Sequence, residues 1–157
     1  MKKRFITAVI AFAVTAVAFF LMSCDNVKDT LVIYDTETNA VYKRIPVSEG
    51  TEFSVEFIHS VNQSPVIDVF RIENETIIAD RTIYSAFGAG VQTEIENGQT
   101  LEYDKDGNMV VSGFDIVFPE VKYIVGTVSD HVFRIEGESI SLTELCGKNS
   151  HIAFVLR

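Results

Sequence analysis

Tryptophan is missing from this sequence, and basic residues, histidine and cysteine are all scarce. Thirteen Lys and Arg stand against 22 Asp and Glu in 157 residues, a formal net charge of −9. No basic stripe offsets that excess, so nucleic acid is excluded as a partner, because its phosphates must be neutralised by protein cations. Anionic lipid headgroups are repelled for the same reason, which leaves neutral, cationic or proteinaceous partners. The three histidines, His59, His131 and His151, stand at no metal-ligand spacing. Even with Asp68 and Asp130 added they call for no metal ion and no cofactor. Two cysteines, Cys24 and Cys146, cannot build a disulfide framework, so the domain must fold on its apolar core. Helical periodicity is almost absent after the first two dozen residues, and only one long uncharged apolar run exists.

That run defines the first segment. Lys2, Lys3 and Arg4 form a basic start, and residues 5–22 then carry no charge. Positive charge held in the cytoplasm ahead of an apolar stretch is the layout of a secretory signal. A run of about 18 residues also reaches the length of a membrane-spanning helix. Its end favours cleavage, because Leu21-Met22-Ser23-Cys24 resembles the lipobox of bacterial lipoproteins. In that family the cysteine becomes the new N-terminus and carries a diacylglycerol. The expectation is a signal peptide over 1–23, an N-terminal helix removed on export, and lipidation at Cys24. The chain from 24 to 157 would then be a single extracytoplasmic domain anchored to the membrane through Cys24. The leader holds three of the 13 basic residues and none of the 22 acidic ones, so the mature part carries 10 basic against 22 acidic residues, a net −12. Whether it sits on the inner or the outer membrane is left open, although Asp25 favours inner-membrane retention in enteric Gram-negative cells.

The rest of the chain alternates short β-branched and aromatic runs with turn residues every eight to twelve positions, the pattern of an all-β sandwich or barrel. Strands are expected near 31–34, 41–46, 52–59, 66–72, 76–84, 100–103, 109–112, 115–118, 123–125, 132–135 and 152–156. Glu73-Asn74-Glu75 and Asp104-Lys-Asp-Gly-Asn108 supply tight hairpin turns, and Ser141 to Leu145 suits one short helix. Pro46 belongs at a strand end or a sheet edge, because it has no amide proton to give a ladder. The strand from Glu52 sends Phe53, Val55 and Phe57 to one face, with His59 falling on that face and Ser60 on the other.

At His59-Ser-Val-Asn-Gln-Ser-Pro-Val66, Asp68-Val-Phe70 and Ser85-Ala-Phe-Gly-Ala-Gly90 the sequence resembles a bacterial family of unknown function, DUF1850, over about residues 30–135. Its members are short exported or membrane-anchored chains with a strand ending in His-Ser-Val and a Pro-Val restart followed by an acid. The resemblance implies a context: such proteins are frequently encoded beside tripartite uptake transporters of the TAXI type. It therefore implies an accessory role in solute uptake, with transporter subunits as partners.

The residues themselves offer one tempting constellation, His59, Ser60 and Asp68. A nucleophilic triad needs serine, histidine and carboxylate in mutual reach, yet neighbours on a strand project to opposite faces unless a bulge intervenes. The simpler reading is structural, with Ser60 or Ser64 bonding turn backbone and Asp68 orienting His59 across the hairpin. The same groups could line a small polar ligand pocket. Phe87, between Gly88 and Gly90 and the residues before it, is a candidate contact for a partner, and its glycines suit a bulge rather than a phosphate loop. A non-enzymatic accessory or binding module leads. A hydrolase or general acid/base enzyme using His59 and Asp68, and a purely structural envelope lipoprotein, are the alternatives.

Overall fold

A computed structural model describes residues 29–85, 95 and 98–157. The leader, Cys24 and the segment bearing Phe87, Gly88 and Gly90 lie outside the described residues. The strands are β1 (Asp29–Asp35), β2 (Val41–Val47), β3 (Glu52–Ile58), β4 (Pro65–Glu73), β5 (Thr76–Tyr84), β6 (Thr100–Tyr103), β7 (Met109–Phe118), β8 (Val121–Ile124), β9 (Val132–Ile135), β10 (Glu138–Ser141) and β11 (His151–Leu156), with one helical turn, α1 (Leu142–Cys146). They form two antiparallel sheets, a four-stranded one in the order β2-β1-β11-β8 and a seven-stranded one in the order β10-β9-β3-β4-β5-β7-β6. The layers pack as a sandwich, and neither closes into a barrel. Among the described residues no helix is long and apolar enough to cross a membrane.

The sandwich exists because the inward positions of both sheets are apolar and large. Phe53, Val55 and Phe70 from the large sheet meet Leu31, Ile33, Ile152 and Phe154 from the small one in a single buried cluster. Phe53 stacks on Phe70 with ring centroids 5.1 Å apart and lies 5.8 Å from Phe154. Phe133 closes the group at 5.2 Å from Phe154. Burying one such ring contributes on the order of 2–3 kcal/mol, and offset or tilted ring pairs add to it.

Turn chemistry sets the register. Asn74 and Glu75, at φ of 51° and 58°, form the two-residue reversal between β4 and β5. Asp104 Oδ1 accepts the amides of Asp106 and Asn108, each at 2.9 Å, to fix the β6–β7 turn. Glu136 and Gly137 make a third reversal, at φ of 48° and 83°, which creates the hairpin partner β10. Ser141 caps α1 by accepting the Glu144 amide at 3.0 Å. Pro46 lies within β2, an outer strand of the small sheet.

The strand expected to break at Gly113 does not break. Against β5, Ala79 faces Ile116 and Arg81 faces Ser112. Asp80 alone therefore stands opposite Gly113, Phe114 and Asp115, two extra residues on β7. Gly113 and Asp115 take positive φ, 79° and 47°, and absorb the bulge. Arg71 staples it by donating to Asp80 at 2.5 Å and to Asp115 at 2.8 Å.

Candidate functional site

The two layers differ by three strands, and the small sheet stops at β8 while the large one continues through β5, β7 and β6. Where β8 ends, a cavity of about 320 Å³ opens between the layers. Its walls are mostly apolar, with Phe70, Phe114, Phe118, Ile116 and Val121 among them, and Asp68 lies within it. The β7 bulge supplies Phe114: the extra residues bring this ring to the cavity while Asp115 goes to Arg71.

Asp68 points inward because it pairs with Val55 on β3 and with Thr82 on β5, on the face that also carries Phe53 and Phe70. Its Oδ1 accepts the Thr82 hydroxyl at 2.9 Å, and its Oδ2 accepts the Tyr123 hydroxyl at 2.8 Å. The second bond crosses from β8 and ties the two sheets together. Burial raises the Asp68 carboxyl above its usual range, with the two hydroxyl donors working the other way. Burial also pushes the Tyr123 phenol well above its ordinary value, reinforced by the neighbouring carboxylate, so the proton of this pair stays on tyrosine.

The cations at the cavity are already engaged. Lys122 pairs with Glu120 at 2.5 Å, and Arg81 pairs with Glu52 at 3.1 Å and with Asp80. Behind Tyr123, His131 stacks on Phe57 at 5.3 Å and meets the tyrosine ring edge at 6.1 Å. Its Nδ1 accepts the Gly126 amide at 3.1 Å, and burial lowers its pKa. Thus His131 is a neutral, oriented core histidine.

The expected partnership of His59 with Asp68 is not formed. β3 ends at Ile58, and His59 opens the turn to Pro65, donating its own amide to Ser64 O at 2.9 Å and accepting that of Gln63 on its carbonyl at 2.9 Å. Its Nδ1 accepts the amides of Val61 and Asn62 at 3.3 and 3.4 Å, so the ring caps its own turn. Asp68 sits opposite Val55, four residues back, which is about 13 Å along the strand. Ser60 is exposed and gives its carbonyl to the Gln63 side chain at 2.6 Å. His59 therefore caps its own turn, and Asp68, bonded to Thr82 and Tyr123, does not orient it. Sequence reasoning found Asp68 but missed Tyr123, Thr82 and the phenylalanine wall. A tyrosine at an inward position of an edge strand was the available signal, with nothing local to show what it would meet.

Among the described residues, no three His, Cys, Asp or Glu side chains gather as a metal site requires. Cys146 is half-buried with its thiol pushed up to about 11 by burial, which keeps it protonated and unreactive.

The profile of a domain of unknown function, DUF1850, matches residues 53–142, more than half of the chain. This is a DUF1850 protein. The match runs from β3 into α1 and so contains the His59 turn, Asp68, Thr82, the β7 bulge, Tyr123 and His131. No curated protein and no solved structure matches the chain.

Proposed function

We propose that this DUF1850 protein is an exported lipoprotein, held outside the cytoplasmic membrane through an acylated Cys24, whose sandwich binds a small solute without transforming it. The carrying observation is the cavity: about 320 Å³, apolar walls, and one inward carboxylate fixed by two hydroxyls. Ligand sites have that make-up, a mainly hydrophobic hollow with few convergent polar groups. The non-enzymatic reading is supported by the separation of His59 from Asp68, about 13 Å along the strand, and by the Thr82 hydroxyl donating its hydrogen bond to Asp68 with no histidine beside the pair. The leader, its Leu-Met-Ser-Cys end and the acidic mature chain support export and anchoring. Service to a TAXI-type uptake system, with transporter subunits as partners, is the role the family resemblance implies.

The test is mass spectrometry of the intact protein released from membranes. Wild type should carry a diacylglycerol on Cys24 and co-release a small molecule. Ala79→Phe, which fills the cavity from β5, should keep the lipid and lose the molecule. An unprocessed N-terminus overturns the anchoring, and identical small-molecule content in the two proteins overturns the solute site.

A further inference from the structure

We infer that the cavity's ligand is a small organic cation, an ammonium group on an apolar body, seated with its charge on Asp68. This rests on the solute-site reading above and adds its chemical class.

Charges taken out of water are normally met by an opposite charge. Asp68 is held between layers by two neutral hydroxyls, and no cation of the described residues reaches it. Each carboxylate oxygen has accepted one hydrogen bond and can take a second. A bound ammonium would occupy those lone pairs and complete an ion pair that is half built. The walls point the same way. Phe70, Phe114, Phe118 and Tyr123 line the cavity together with the carboxylate, and aromatic rings attract a cation and repel an anion at their faces. An anionic solute would need a free cation, and Lys122 and Arg81 are both committed to carboxylates of their own. The molecule's net charge of −9 adds a long-range field of the favourable sign.

Three probes of one shape and different charge decide the matter: benzylammonium, benzyl alcohol and benzoate, titrated into the full chain in detergent micelles. Methyl resonances of Ile116 and Val121, which line the cavity, report binding independently of probe dissolved in the micelle. Benzylammonium should bind roughly ten- to a hundredfold more tightly than the alcohol, the scale of a charge-assisted hydrogen bond, with benzoate weakest. That margin should vanish in Asp68→Asn, which keeps the shape and removes the charge. Equal affinities, a preference for benzoate, or an ammonium preference surviving in folded Asp68→Asn would each overturn the cation while leaving a solute site. No methyl shift from any probe would overturn both readings. The wild-type ranking decides alone if the asparagine variant does not fold.

Discussion

At the scale of single residues, the molecule uses imidazoles as hydrogen-bond acceptors. His59 takes two amides of its own turn, and His131 takes that of Gly126. An acceptor nitrogen must be unprotonated, and burial holds His131 below its ordinary value, with Asp130 opposing that shift. Because the folded pKa is lowered, the stabilisation is complete above the ordinary 6.5 and is lost as pH falls through the folded value. Thermal melts between pH 7.5 and pH 5 should show wild type losing more stability than His131→Asn, whose amide oxygen can replace Nδ1 but does not titrate. Parallel losses in the two proteins would contradict this. Gly126 makes the arrangement possible, since a Cβ there would lie 2.1 Å from the Ser129 carbonyl oxygen. None of this was legible in the sequence. His59 and Asp68 drew attention as a histidine and an acid on either side of one turn, whereas Tyr123 meets Asp68, and His131 meets Phe57, only through the fold.

At the scale of elements, the strands written in alternation or bounded by Asn, Asp and Gly turns were read to within a residue or two, because side-chain period and turn chemistry are local. β10 was missed, since Glu138-Ser-Ile-Ser141 has one apolar residue and exists through the Glu136-Gly137 reversal and pairing with β9. The gap placed at Gly113 was a true irregularity read as a break; the physical device is a bulge whose continuity depends on β5 and on Arg71, both distant in sequence. Gly113 has a left-handed φ of 79°, and an added Cβ would lie 2.5 Å from the Gly98 carbonyl oxygen. Gly113→Ala should therefore cost about 1–3 kcal/mol in urea unfolding, and more if the neighbouring backbone cannot yield. Because the bulge presents Phe114, the same variant should also weaken solute binding. A neutral substitution would show that the bulge has slack.

For the whole molecule, an all-β sandwich was foreseeable from composition and period, but the unequal layers were not, since strand order is a long-range property. The inequality leaves Asp68 reachable, and the Tyr123 hydroxyl joins the layers at the last strand of the smaller sheet. Tyr123→Phe should lower global stability by about 1–3 kcal/mol, as removal of one donor leaves a buried carboxylate short of a partner. An unchanged urea midpoint would mean that water replaces the hydroxyl without loss.

β8 has only four register pairs, all with β11, and on its other side lies the opening. One side of that slit is thus formed by a single short ribbon, the other by the wide sheet that carries the aromatic interior. On the proposed solute-site reading, entry of a guest would be a local affair, needing one short strand to part at the Tyr123–Asp68 bond and no change in the buried aromatic cluster.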